Sequence, residues 1–179
     1  MTQVTKILQQ LADREGIRDC LIRYSRGIDR RERDTLASVY WPEATDDHLL
    51  YSGSAAGFIE WILPLLHTME QSMHLLGNIT IDLQLPIALT ETYFVAYHLR
   101  RVDGSGDLSD QTLGGRYLDR LEKREDEWRI AERKLVIDWI TEYPSSNPWK
   151  ATLPGVPFRT NISPSDLSYS HFNGSVVPR

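Results

Sequence analysis

From Gln71 to Ile140 the chain is written as long strand-like segments joined by short turns, and most of what precedes Gln71 carries helical spacing. That order admits few architectures. The first segment, Gln71–Leu83, places Met73, Leu75, Gly77, Ile79, Ile81 and Leu83 at odd positions and His74, Asn78, Thr80 and Asp82 at even ones. A period of two predicts a strand with one dry and one polar face, His74 lying on the polar face. If that face meets solvent, His74 is an ordinary solvated side chain. If it lines a partly wet pocket, His74 is the chemical centre.

Three further antiparallel strands are predicted over Leu89–Arg101, Thr112–Lys123 and Trp128–Ile140, with turns at Leu85-Pro86, Asp103–Asp107 and Arg124–Glu127. His98 shares a strand face with Phe94 and Ala96, a face that suits either core or pocket. Arg133 shares one with Ala131, Leu135, Ile137 and Trp139. An arginine there either snorkels to water or needs an anionic partner, for which Asp29 is the natural candidate.

Before these strands, residues 5–30 read as helix, with Ile7, Leu8 and Leu11 opening the apolar stripe and Ile17, Leu21, Tyr24 and Ile28 continuing it. Asp13 is a candidate cap for a second helical start. Asp29 falls at the margin of the stripe, where an ionised carboxylate is costly unless paired or hydrogen-bonded; the alternative is a helix-end residue that turns to water. A short second helix starts at Asp34 and stops at Trp41-Pro42. Thr45–Tyr51 reads as a strand, and Gly53–Glu70 as a helix shortened or kinked by Pro64. Asp46, Asp47 and His48 could suggest a metal, but neighbours in a strand point to opposite faces, so no metal is expected.

A chain of 179 residues supports one well-filled core, read here as residues 1–143. The remainder, 144–179, is rich in proline and expected to be an extended tail of the same domain. A net charge of −5 without a basic block argues against nucleic acid and anionic membranes as partners. The single Cys20 excludes an internal disulfide and is expected to be a buried helix residue. Neither a signal-peptide run nor a membrane-length apolar stretch is present, so the default location is cytoplasmic. Together these readings predict an α+β fold, N-terminal helices packed on a strongly curved, mostly antiparallel sheet that leaves a cone-shaped cavity.

Leu11-Ala-Asp-Arg-Glu-Gly-Ile-Arg-Asp, Tyr24-x4-Asp29, Leu36-Ala-Ser-Val-Tyr-Trp41, His74-x2-Gly77-Asn78 and Glu122 to Trp128 together resemble the SnoaL-like branch of the nuclear transport factor 2-like superfamily. Within it the chain is similar to hexachlorocyclohexane dehydrochlorinase, scytalone dehydratase and the bile-acid dehydratases over roughly residues 8 to 140. The resemblance implies the same α+β cone, an Asp29/His74 catalytic dyad, and active-site roles for Arg133, Tyr24 and His98. It also implies no metal or organic cofactor and a homo-oligomer, a trimer by resemblance with a dimer as the alternative. Ile28 and His48 stand where scytalone dehydratase has two water-holding tyrosines, and Tyr24 where the dehydrochlorinase has a lysine. An oxygenated substrate therefore fits better than a halogenated alkane.

The expected activity is that of a cofactor-free dehydratase on a small hydrophobic cyclic compound, steroid-, polyketide- or terpenoid-like. His74 would abstract a proton from carbon, Asp29 would orient it, Tyr24 with His98 or His48 would serve the departing or enolate oxygen, and Arg133 would offset charge. Ile28, His48, Phe94 and Tyr117 are the expected substrate contacts. An isomerase or cyclase on the same fold, and a non-catalytic binding or scaffold protein such as a ring-hydroxylating dioxygenase small subunit, are the competing expectations.

Overall fold

A computed structural model describes residues 2–102, 107–144 and 166–172. Helix α1 (Gln3–Arg30) is capped by the Thr2 hydroxyl, which accepts from the Thr5 N–H at 3.1 Å, and ends at Arg31 in the left-handed region with φ 58°. Its buried stripe is Ile17, Cys20, Leu21, Tyr24 and Ile28. Ile7, Leu8 and Leu11 do not open that stripe; they are exposed, and the core begins only at Asp13. Nor does Asp13 start a second helix. Its buried carboxylate accepts from Trp128 Nε1 at 3.1 Å and Lys123 Nζ at 2.9 Å, tying the middle of α1 to the far end of the sheet.

Helix α2 (Arg33–Ser38) leads into β1 (Tyr40–Asp47), which starts earlier than the spacing predicts and runs through Trp41-Pro42, with an irregularity in its pairing between Tyr40 and Thr45. A short β2 (Ser52–Ser54) precedes α3 (Ala55–His67), whose N-cap is Ser54 and which contains Pro64. The four long strands are β3 (Met69–Gln84), β4 (Ile87–Arg101), β5 (Leu108–Arg124) and β6 (Glu127–Pro144). Their order in the sheet is β2-β1-β6-β5-β4-β3, antiparallel throughout except for β1 beside β6. The result is a curled, unclosed sheet with the N-terminal helices packed on its inner face, the α+β cone expected.

Bulges decide which side chains reach that inner face, because one extra residue reverses the alternation beyond it. In β3 the register shifts between Leu76 and Ile79. Ile79, Ile81 and Leu83 therefore face the core beyond the bulge, whereas before it the inner residues are Ser72, His74 and Leu76. Met73 and Leu75, predicted on the dry face, are 57% and 65% exposed. In β6 two shifts act likewise: Ala131 is the extra residue between Ile130 and Glu132, and Asp138 the extra one between Ile137 and Trp139. Arg133 accordingly keeps Leu135 and Ile137 as face neighbours but not Ala131 or Trp139. The Trp139 indole lies instead on the outer face against Gly114, where any Cβ would overlap the ring.

The turn expected at Asp103–Asp107 lies outside the described residues apart from Asp107, and the expected tail over 144–179 does so apart from Pro144, which ends β6, and residues 166–172. In the latter a short helix, α4 (Leu167–His171), docks on the end of α1 and on α2. Arg26 donates to Ser168 Oγ at 3.3 Å, Arg30 pairs with Asp166 at 3.5 Å, and Tyr169 meets Glu32.

Candidate active site

Asp29 sits in the last turn of α1, within reach of the inner face of β3. Its Oδ1 accepts from His74 Nδ1 at 2.8 Å and Ser72 Oγ at 3.1 Å, and its Oδ2 accepts the His74 backbone N–H at 2.9 Å. Three donors and burial to 8% exposure fix the carboxylate, and the carboxylate fixes the imidazole. With Nδ1–H committed to Asp29, the His74 Nε2 lone pair is left free to accept a proton. The helix end and the strand are separated by more than forty residues; only the curl of the sheet onto α1 brings them together.

His98, two strand positions along from Ala96, faces the same ground, its ring centroid 5.5 Å from that of His74. It is 9% exposed, and neither ring nitrogen makes a well-formed hydrogen bond, the Gln111 side chain being a polar group within its reach. Burial first, and then the neighbouring His74, lower its pKa to about 4, so it is a neutral imidazole at physiological pH. A buried imidazole without a well-formed hydrogen bond carries a desolvation cost that a polar ligand atom between the two histidines would offset.

Phe94 continues the wall, 6.3 Å from His74 and stacked on Tyr117 at 4.4 Å and 17°. Tyr24 packs edge-on against Tyr117 at 5.5 Å, and Ile28 is buried one turn of α1 further along. Burial pushes the Tyr24 and Tyr117 phenols well above their ordinary range, so both keep their protons.

Arg133 is not the partner of Asp29. Its Nε and Nη2 donate to the two oxygens of Asp119, both at 2.7 Å, with both side chains fully buried. The guanidinium lies over the Tyr24 ring at 3.8 Å and the Tyr117 ring at 4.2 Å. Although desolvation opposes the charge, Asp119 holds the guanidinium firmly protonated. Arg133 therefore braces the aromatic wall, and Asp119 is the residue that sequence reasoning passed over. The available signal was a carboxylate two positions from Tyr117 on a strand face that is otherwise apolar from Leu113 to Leu121. Ser72 left no such signal.

His48 follows β1 and lies on the Phe58 ring at 4.6 Å, with Tyr117 at 6.4 Å. A hollow of about 480 Å³ is lined by outward-alternating residues such as Thr45, Asp47, Leu118, Arg120, Glu132 and Lys134 and also by buried Thr90, Asp119 and Arg133; Asp29, His74 and His98 do not line it, so it is not the site of the dyad.

Comparison with known proteins adds the following. A family described as the SnoaL-like domain matches residues 9–134, whereas no curated protein matches the chain. Among solved structures, a candidate scytalone dehydratase from Novosphingobium aromaticivorans aligns with TM-score 0.65 and 21% identity, over 76% of this chain and 91% of that one. Hexachlorocyclohexane dehydrochlorinase LinA-type3 from Novosphingobium barchaimii LL02 aligns with TM-score 0.66 and 16% identity, over 78% and 94%. A candidate aromatic ring hydroxylase from Novosphingobium aromaticivorans aligns with TM-score 0.64 and 20% identity, over 75% and 94%. At these identities the likeness is one of fold.

Proposed function

The chain belongs to the SnoaL-like domain family, and from that premise we propose that it is a cofactor-independent carbon–oxygen lyase, a dehydratase acting on a small cyclic oxygenated compound. The observation that carries this reading is His74, held at Nδ1 by buried Asp29, beside a neutral His98 whose ring nitrogens make no well-formed hydrogen bond. His74 Nε2 takes a proton from a carbon acidified by a neighbouring carbonyl, and Asp29 stabilises the imidazolium as it forms. His98, a neutral imidazole, donates its one N–H to the carbonyl oxygen as enolate charge develops there. Tyr24 is a hydrogen-bond donor held beneath Arg133, and Ile28, Phe94 and Tyr117 are the apolar contacts to the substrate ring.

The same proposal includes a cytoplasmic location and assembly into a homo-oligomer. Among the described residues no helix is long and apolar enough to cross a membrane. On the outer sheet face Leu75, Val95, Gly114 and Trp139 are cross-strand neighbours, and the three side chains in that row are exposed, which supports self-association of a second copy there.

The test is a panel of cyclic β-hydroxy ketones followed by ultraviolet absorbance and product mass, wild type beside His74→Ala. A new enone band with loss of water, absent in the variant, is the expected result. Unchanged mass with solvent deuterium entering at carbon would favour isomerisation, and no turnover or exchange with any compound would favour a binding or scaffold role.

A further inference from the structure

The cone holds a second imidazole gripped by a buried carboxylate. Asp46 and His48 are two residues apart and lie on one side of the chain as β1 ends. The His48 Nδ1 meets Asp46 Oδ1 at 3.1 Å, while Tyr40 Oη donates to Asp46 Oδ2 at 2.6 Å. Asp46 stands opposite Arg133 in the β1–β6 ladder and is buried. The His48 ring packs at a tilt against Phe58 of α3 and approaches Tyr117, which carries Phe94 on to His74. Thus two imidazoles flank the Phe94–Tyr117 pair, one at each end. Each has its Nδ1 on a carboxylate oxygen, at 3.1 Å for His48 and 2.8 Å for His74.

His48 is surrounded by both charged and neutral polar groups. The groups facing it are Asp46 and Tyr40 of β1, Tyr117 and Asp119 of β5, Arg133 of β6 and Phe58 of α3. Burial pushes the Tyr40 and Tyr117 phenols up, so both stay neutral. Arg133 and Asp119 cancel one another through two hydrogen bonds. Asp46 is buried and pairs with His48 at 3.1 Å. The His48 side chain is 15% exposed.

We propose that His48, held by Asp46, is the acid that protonates the departing oxygen, so that elimination runs between two histidine–carboxylate pairs. This rests on the lyase reading above. His74 Nε2 takes the proton from carbon, and that C–H pair forms the new double bond. The C–O bond breaks with its electrons on oxygen, and oxygen takes the proton from His48 Nε2 and leaves as water. His74 ends protonated and His48 neutral, and solvent restores both. Neither an oxidant nor a metal enters the balance.

The experiment pairs each turned-over β-hydroxy ketone with its β-acetoxy analogue, whose leaving group departs without a proton. His48→Asn keeps an N–H donor for Asp46 at the Nδ1 position and removes Nε2; His48→Gln, with an amide that cannot release a proton, is the second variant should the first fold poorly. Circular dichroism establishes folding for each. The expected result is a loss of kcat on the order of a hundredfold or more with the hydroxy compound and less than about threefold with the acetoxy one. His74→Ala should abolish both. Turnover that depends on His74 but is equally sensitive, or equally indifferent, to His48 with both leaving groups overturns the second acid and leaves the lyase reading standing. Absence of wild-type turnover, or turnover indifferent to His74→Ala, removes the lyase reading and the second acid with it.

Discussion

Asp119→Ala is the sharpest probe of how the inner face is held. It leaves the Arg133 guanidinium fully buried with its two hydrogen-bond acceptors gone, and Nη1 already lacks a partner. The faces of Tyr24 and Tyr117 remain over the cation at 3.8 and 4.2 Å. Such contacts are worth about 2 kcal/mol when desolvated, whereas removing one member of a buried ion pair costs about 3–5 kcal/mol. The expected net loss is about 4 kcal/mol, or ~8–16 °C in Tm for a chain of this size. Urea and thermal unfolding followed by circular dichroism read it directly. The double variant Asp119→Leu/Arg133→Met keeps the branched shape of one side chain and the long stem of the other, and should recover most of the loss, because two matched apolar groups carry no desolvation penalty. A single variant within about 1 kcal/mol of wild type would refute the reasoning, as would a double variant no more stable than Asp119→Ala. Either result would mean that the guanidinium reaches water or another anion.

Asp29→Asn should lower kcat on any β-hydroxy ketone that the wild type turns over by roughly a hundred- to ten-thousandfold with a smaller change in KM, because the amide cannot hold the His74 tautomer; steady-state kinetics with a folding control decide it. His98 titrates near 4 in the folded chain against an ordinary 6.5, so the unfolded chain binds the extra proton first. Its contribution is therefore complete above pH 6.5 and is lost as pH falls towards 4, on the order of 2–3 kcal/mol. Urea unfolding at pH 7 and 4.5 should show that loss in wild type and a flatter dependence in His98→Phe. Trp128→Phe removes the Nε1–H donor to buried Asp13 and should cost about 1–2 kcal/mol in the same assay. Leu75→Lys with Val95→Lys should convert an oligomer to monomer in sedimentation experiments; an unchanged mass would exclude the outer face as the interface.

The α1 stripe of Ile17, Leu21, Tyr24 and Ile28 and the alternation in β4 and β5 were legible because each depends on the backbone period of a single element. So was the order of helices and strands, and with it the cone. Asp29 and His74 stood out as polar residues in suspect places, and Arg133 as a cation needing an anion. Which anion was not legible: Asp119 reaches Arg133 through pairing of β5 with β6, while Asp29 is occupied by Ser72 and His74 of β3. The face that His74 occupies was not legible either. Its neighbours Met73 and Leu75 are apolar yet exposed, because a bulge near Gly77 reverses the alternation, and a bulge is a property of two paired strands rather than of one sequence. Local periodicity thus determined what each segment is. Only pairing and curvature decided which side chains share the interior, since the parity of every strand residue depends on the register of a partner far away in the chain.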